Sequence, residues 1–252
     1  MGIKSEGGVI AVPQVWRKGQ KTFLEAPRRR KRGAETFSPA AMKHLLTAPL
    51  LLIALLACQT LHAQTAAPAP LVARALQAVG GKEKLLKIFR IQEIFHFGST
   101  PEPAAGKKRS TRESILSMPD RWWLGSKERG DEPAKHDVRA WNLDLLVDPA
   151  SKIEVLPDRV DEGKNCFGLR ISGSVTPEMS LYFDQETALL KRVDWRGDYY
   201  RFSDWQEHDG VRYAARTVIL KAKDDKPWFF HEVTKVERLA VLPEKLQQAP
   251  KP

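Results

Sequence analysis

The chain has 252 residues and a formal net charge of +10, from 41 Lys and Arg against 31 Asp and Glu. Residues 1–41 carry nine basic and three acidic side chains, a net of +6, whereas residues 64–252 carry 31 and 28, a net of +3. A nucleic-acid-binding domain concentrates positive charge on its folded body, so this distribution argues against a nucleic-acid partner. The body has the size of one domain with a real core, and its six tryptophans exclude a disordered chain.

Residues 42–63 are predicted to be a secretory signal peptide. Lys43 supplies a short positive start, and the run from Leu45 to Ala57 is almost entirely apolar. About 13 residues suit the apolar part of a signal peptide and are too few to span about 30 Å of hydrocarbon. Cleavage after Ala63 is expected to release the protein into the periplasm. A buried core helix is the alternative, which the Ala- and Pro-rich linker predicted at 64–70 disfavours.

The segment 1–41 precedes this signal and contains the basic run Arg28 to Arg32. We expect Met42 to be the true start, with 1–41 a gene-model extension or a disordered basic segment. A long positive start of the signal and a twin-arginine export signal are the alternatives. The second is disfavoured because the arginines lie far from the apolar run.

The two cysteines, Cys58 and Cys166, have different expected fates. The sequence Leu55-Leu56-Ala57-Cys58 resembles a lipobox, in which the cysteine is lipidated, so a membrane-anchored lipoprotein is the alternative to a soluble periplasmic protein. Leucine two positions before the cysteine is less usual there, which favours removal of Cys58 with the signal. Cys166 then stands alone in the mature chain and is predicted to be a buried, unreactive thiol.

The body opens with a predicted helix and continues as strands. Residues 71–79 are apolar at helical spacing, and Gly80-Gly81 ends the helix. From Phe89 to Ala240 apolar and polar residues alternate with a period of two, as in half-buried antiparallel strands. The longest such face is Val211, Tyr213, Ala215, Thr217 and Ile219, and the same pattern at Trp141, Leu143, Leu145 and Val147 predicts another strand.

Turn clusters about ten residues apart, such as His208-Asp209-Gly210, predict a meander of about nine to eleven strands. The apolar face of such a sheet must be covered. We therefore predict a mainly β (α+β) fold, a large curved antiparallel sheet with the N-terminal helix and short helices within 126–137 on its concave side. A sandwich is the alternative. The predicted domain spans 71–240, and 241–252 is a polar tail.

The residues show no recognisable catalytic or metal motif. His96, His136, His208 and His231 lie in no metal-ligand spacing, and neither a nucleophile elbow nor a glycine-rich nucleotide motif is present. We therefore predict no cofactor, no metal and no enzymatic activity. A catalytic set scattered through the sequence is the alternative.

The hairpins of the C-terminal half have a distinctive order. The strand Leu181-Tyr182-Phe183-Asp184 ends in an Asp turn, Arg192-Val193-Asp194 follows, and Asp209-Gly210-Val211 opens a later hairpin. Together with the opening helix at 75–81, this pattern resembles the periplasmic lipoprotein-carrier family and its outer-membrane lipoprotein-sorting relatives, the LolA-like proteins. The resemblance covers about 71–239. It implies an incomplete β-barrel with helices on its open side, an apolar cavity between them, and an acylated or glycolipid ligand.

These observations favour an exported, non-enzymatic binding protein that holds an acyl chain, a lipoprotein or another apolar ligand in a cavity of about several hundred Å³. The alternative is a structural or regulatory envelope module with a filled core. The oligomeric state is left open, and membrane association is expected only if Cys58 is lipidated. The aromatic residues predicted to line the cavity, with core packing as the alternative for each, are Trp122, Trp123, Trp141, Phe183, Trp195, Trp205 and Trp228.

Overall fold

The computed structural model describes residues 67–130 and 133–247. They form two α-helices, α1 (Pro68–Ala78) and α2 (Pro133–Trp141), and three 3-10 turns, Lys82–Lys84, Asp144–Leu146 and Glu244–Leu246. The strands are β1 (Ile88–Phe97), β2 (Ser110–Ser117), β3 (Arg121–Leu124), β4 (Lys127–Arg129), β5 (Lys152–Asp161), β6 (Lys164–Ser172), β7 (Met179–Asp184), β8 (Leu190–Trp195), β9 (Asp198–His208), β10 (Val211–Lys221) and β11 (Pro227–Arg238).

All eleven strands form one antiparallel sheet in the order β4-β3-β2-β1-β11-β10-β9-β8-β7-β6-β5. Strands that follow one another in sequence are neighbours in the sheet, except that β4 and β5 lie at opposite edges. The added pairing of β1 with β11 runs from Phe89 opposite Arg238 to Phe97 opposite Phe229. Within the described residues β4 and β5 do not pair, so the sheet stays open. The predicted mainly β fold and its number of strands are confirmed.

The two faces of the sheet differ in composition. The inner face carries alternate buried side chains of most strands, such as Phe89, Leu169 and Tyr213, which share one apolar cluster with residues of both helices. The predicted alternation in β10 is confirmed, because Tyr213 is buried and its neighbour Arg212 is exposed. The opposite face, called the outer face below, is largely charged. Both helices therefore cover the apolar side, as a sheet of this kind requires.

Helix α1 docks its C-terminal end on the turn between β9 and β10. The Arg212 N–H donates to the Val79 carbonyl at 2.9 Å. A Cβ on Gly80, whose φ is +109°, would lie 2.1 Å from the Gly210 carbonyl oxygen, so this approach requires glycine. The helix begins at Pro68, inside the segment predicted as a linker, because proline is compatible with the first turn of a helix.

The strand predicted at 141–147 is wrong. Trp141 ends α2, Leu143 has a left-handed backbone with φ 56°, and a 3-10 turn follows at Asp144–Leu146. Trp141, Leu143 and Leu145 are all buried. The residues that alternate with them, Asn142, Asp144 and Leu146, are buried as well, so the alternation of apolar and polar residues in the sequence does not correspond to an alternation of buried and exposed side chains.

Residues 241–247, the described part of the predicted polar tail, return to the sheet. Leu246 is buried against Ile115 and Trp123, with Leu239 and Leu242 packed beside them. This small cluster lies apart from the main core. The described C-terminal residues therefore cover part of β2 and β3.

The predictions for 1–41 and for the signal at 42–63, including Cys58, concern residues outside the described part of the chain. In the described part, no helix combines the length and the apolar character that a membrane crossing needs. Cys166 lies in β6 and is fully buried, as predicted. Burial raises the pKa of its thiol, which keeps it protonated and unreactive.

Candidate functional site

Helix α2 closes the inner face over the middle of the sheet. Its residues His136, Asp137 and Ala140 face a narrow crevice, whose other wall comes from β7, β8 and β9. That wall consists of Met179, Val193, Trp195, Tyr200 and Phe202. The crevice has no volume that a water molecule could occupy. The large apolar cavity predicted between sheet and helices is therefore closed at this position, because α2 fills it.

Paired charges hold α2 in place. The Arg139 guanidinium donates to Asp144 at 2.8 Å, to Asp148 at 2.7 Å and to the Ser174 carbonyl at 3.1 Å. Just after the helix, the Asn142 side chain accepts from the Leu86 N–H at 3.1 Å and donates to the Leu86 carbonyl at 3.0 Å. Polar contacts of this kind have a defined geometry, so they fix the position of α2 more specifically than apolar packing alone.

A second polar network lies beside α2 under β1, β2 and β11. Glu93 Oε1 lies 2.6 Å from His231 Nε2, and Glu93 also accepts hydrogen bonds from Arg112 at 2.7 Å and from Ser114 at 2.6 Å. His231 Nδ1 lies 3.7 Å from an Asp137 carboxylate oxygen on α2. The network therefore links the sheet to the helix through two carboxylates and one imidazole.

The two carboxylates of this network have opposite electrostatic surroundings. Burial would raise the pKa of Glu93, but the hydrogen bonds from His231 and Arg112 outweigh it and lower that pKa to about 2. Burial raises the pKa of Asp137 to about 6, although the charge of His231 acts against the shift. The other oxygen of Asp137, Oδ1, is buried and accepts no hydrogen bond. Asp137 is thus the member of the network whose burial in charged form is least favourable.

The enclosure of this network limits its chemistry. The side chains of Glu93 and His231 are each only 1% exposed, so a substrate does not reach them in this conformation. Among the described residues, no group of three or more His, Cys, Asp or Glu side chains could hold a metal ion. The arrangement suits the positioning of α2 rather than proton transfer to a substrate.

The seven predicted aromatic residues lie in several places. Trp195 lines the crevice and donates its indole N–H to the Pro177 carbonyl at 2.9 Å. Trp122, Trp141 and Phe183 are buried in the main core, where Trp141 contacts Phe89 edge-on at 6.2 Å. Their predicted contact with a ligand stays a prediction.

The other three predicted aromatics lie away from the crevice. Trp123 is buried in the small cluster with Leu246, so it does not face the inner core. Trp205 and Trp228 are partly buried at the border of the main core. Trp228 stacks at 6.1 Å on Phe97, a residue outside the predicted set.

Glu93 and Asp137 were not predicted from the sequence. Glu93 follows the buried residues Phe89 and Ile91 at the same spacing of two, so it occupies an inner position of β1. A charged residue at an inner position of a strand requires a buried partner, and this signal was available. Asp137 carried no such signal, because no spacing of apolar residues around it marks it as a buried position of the helix.

A separate cleft of about 220 Å³ lies on the outer face, beneath the loop between β1 and β2. Ile94, Val218 and Phe230 line it together with charged residues, among them Arg109 and Glu232. Arg109 lies 3.7 Å from Glu232 across this cleft. This cleft therefore lies on the outer face and has charged residues in its lining, whereas the predicted apolar cavity lies between the sheet and its helices.

No protein-family model matches the chain, and no curated protein matches it. Several solved structures are similar to the chain. A LolA superfamily protein from Nitrosomonas europaea is 10% identical and has a TM-score of 0.44, covering 72% of this chain and 97% of its own. A putative outer membrane lipoprotein-sorting protein domain from Vibrio parahaemolyticus is 11% identical with a TM-score of 0.42, covering 69% and 93%.

A DUF1329 family protein from Desulfovibrio piger is 12% identical with a TM-score of 0.43, again covering 69% of this chain and 93% of that one. The family that the hairpin pattern resembles is thus among those whose solved structures are similar to this chain. A likeness at this level concerns the fold and carries no information about ligand or activity.

Proposed function

We propose that this chain is an exported, non-enzymatic binding protein that holds an acyl chain or another apolar group against the inner face of its sheet. The binding surface is the wall of the crevice, formed by Met179, Val193, Trp195 and Phe202. Helix α2 occupies this surface in the ligand-free form and moves aside when the ligand enters. The predicted signal peptide at 42–63 supports export to the periplasm. Lipidation of Cys58 would instead anchor the same domain to a membrane.

The observation that carries the proposal is the mismatch between α2 and the surface beneath it. The helix presents His136 and Asp137 to an apolar wall, and Asp137 keeps a buried oxygen without a hydrogen bond. A helix retained only for packing would place apolar side chains there, because burying an unpaired polar group is unfavourable. A cover that also has to leave the surface gains from polar side chains, which water solvates after the movement.

The energetics permit such an exchange. Moving α2 would break the contacts of Arg139 with Asp144 and Asp148 and expose aromatic side chains such as Trp195. An acyl chain covering the same wall contributes about 0.8 kcal/mol for each methylene removed from water. A chain of ordinary lipid length can therefore offset the loss of a few hydrogen-bonded ion pairs.

The test is binding of a fluorescent fatty acid, cis-parinaric acid, to the full chain and to Asp148→Asn. The substitution would weaken the hold of Arg139 on α2, while the new amide keeps an oxygen for the Ala150 N–H, which donates to Asp148 at 2.9 Å. Because the open form would be more populated, we expect probe affinity to rise about tenfold, in proportion to that population. Native mass spectrometry of protein purified from its own membranes would show whether lipid accompanies it.

Asp161→Asn is the matched control. Asp161 is also a buried carboxylate that accepts from arginines, Arg192 at 3.0 Å and Arg201 at 3.4 Å, but it lies at the far end of β5 from α2. Its replacement should reduce stability and leave probe affinity unchanged. Absence of probe binding in all three proteins would overturn the proposal.

The second candidate is a structural or regulatory module of the cell envelope with the same fold. The closed crevice favours it, since a domain without a ligand has few voids larger than a water molecule. In such a module Asp148→Asn should lower the melting temperature. Neither the unmodified protein nor this variant should bind the fatty acid. The same two measurements therefore separate the candidates.

A further inference from the structure

One end of the sheet carries an aromatic patch, defined here as Phe95, Phe97, Trp228 and Phe229. It forms where the last residues of β1 pair with the first residues of β11. Ring centres of Phe97 and Phe229 are 5.1 Å apart, and those of Phe95 and Phe229 are 5.8 Å apart. Phe97 is 67% exposed, and the other three are partly exposed. Single exposed apolar residues are common, but contiguous stacked aromatics at the surface mark an interaction site.

Two basic loops flank the patch, one between β1 and β2 and one between β10 and β11. Residues 98–109 and 221–226 together hold six Lys or Arg and three Asp or Glu, 6 − 3 = +3. The whole of 64–252 also has a net charge of +3, from 31 − 28, so the remainder of the mature chain balances to zero. The positive charge of the mature protein is thus concentrated around the aromatic patch.

Several of these basic side chains are available to a partner. Lys221, Lys226 and Arg109 pair with acidic neighbours. Lys107, Lys108 and Lys223 are exposed and form no ion pair among the described residues. Long lysine side chains can lie along apolar surface while their ammonium groups stay in a polar layer.

We propose that this end of the sheet docks on the surface of a bilayer that contains anionic phospholipids. Aromatic rings favour the membrane–water interface, where Trp in particular places its ring near the headgroups. Unpaired lysines around them would contact the lipid phosphates, and such contacts strengthen the binding of peripheral proteins. A partner that is purely apolar would leave the lysines without a role.

This surface is independent of the binding function proposed for the crevice. None of Phe95, Phe97, Trp228 and Phe229 lines the crevice, and none of the charged residues that hold α2 belongs to the patch. It also does not require lipidation of Cys58. The two proposals can therefore fail separately.

The experiment measures co-sedimentation of the exported protein, produced with Cys58→Ser and freed of its predicted signal peptide, with vesicles of phosphatidylcholine containing about 30% phosphatidylglycerol or none. We expect binding to the anionic vesicles, at least about tenfold weaker binding to pure phosphatidylcholine, and release at high salt. The double variant Lys107→Gln/Lys108→Gln should bind about 25-fold more weakly, since each lysine near an anionic surface contributes about fivefold. Lys82→Gln/Lys87→Gln, two exposed lysines at the other end of β1, is the matched control and should bind normally.

The aromatic patch is tested by Phe97→Ser, with Val160→Ser as the control. Val160 is 64% exposed and lies on the edge strand β5, away from the patch. Phe97→Ser should reduce vesicle binding about tenfold, as expected for an aromatic side chain withdrawn from the interface, and Val160→Ser should not change it. Equal binding to both vesicle types, or no loss with either patch variant, would overturn the proposal.

Discussion

Charged side chains cluster on both faces of the sheet, and the two clusters use different chemistry. On the inner face, Glu93 and Asp137 meet a histidine, His231, and all three are almost fully buried. On the outer face, Asp161 accepts hydrogen bonds from Arg192 and Arg201.

The outer arginines also pack on a tyrosine. Arg192 lies 3.8 Å and Arg201 5.3 Å from the centre of the Tyr199 ring. Arginine stays charged at all ordinary pH values and binds carboxylates in a fixed planar geometry, whereas burial raises the pKa of the Asp137 carboxyl group to about 6, so that it can change charge near neutral pH. The positive charges of the outer cluster therefore do not change with pH in the ordinary range. The inner cluster, which contacts the helix expected to move, can respond to its surroundings.

The largest effect that separates the clusters is expected from Glu93→Gln. This change leaves His231 and Arg112 without their common carboxylate in a buried site, and removal of one partner from a buried pair costs about 3 to 5 kcal/mol. The free energy of unfolding in urea measures it. Glu237→Gln is the control, because Glu237 pairs with Arg90 at 3.0 Å on the same two strands but is 41% exposed. A loss below about 1 kcal/mol for Glu93→Gln would show that the inner cluster is no more important than a surface pair.

The inner cluster also shows which features a sequence can predict. The buried face of β10 was predictable, because Val211, Tyr213 and Ala215 follow the period of a strand within a few residues of one another. The contact of Glu93 with His231 was not, since it depends on the pairing of the first strand with the last.

The contacts of the predicted aromatic residues were only partly predictable, because they also depend on which distant segments of the chain meet. Burial of Trp123, Trp141 and Trp195 follows from strand and helix patterns. Which of them meet depends on the path of α2 and of the C-terminal segment across the sheet. The apolar character of a residue predicts that it is buried. The residues that it contacts depend on the three-dimensional packing.

A smaller effect is expected from pH, through Asp137. Its pKa is about 6 in the folded protein against an ordinary value of 3.8. Between those values the folded protein keeps a proton that the unfolded chain has released, so stability falls as pH rises from about 4 to 6. This difference between the two pKa values corresponds to at most about 3 kcal/mol in the free energy of unfolding. Above pH 6 the free energy of unfolding stays at this lower value.

Asp137→Asn tests this contribution directly. The variant cannot ionise at this position, so the decline in stability between about pH 4 and 6 should become smaller than in the unmodified protein. Urea unfolding at several pH values across this window measures the difference. Identical pH profiles for the two proteins would mean that Asp137 is solvated, contrary to its burial between α2 and the sheet.

The smallest effect is expected on the outer face, from Arg159→Gln. Arg159 pairs with Asp194 at 3.0 Å and lies 4.7 Å from the centre of the Tyr182 ring, but both members of the pair are about one-third exposed. Water and salt screen such a pair, so its loss should lower the free energy of unfolding by less than about 1 kcal/mol. The difference should shrink further in about 1 M salt, where screening acts over about 3 Å. A loss as large as that of Glu93→Gln, unchanged by salt, would show that an ion pair on the outer face contributes as much to stability as the inner cluster. The response to pH would then be the remaining distinction between the two faces.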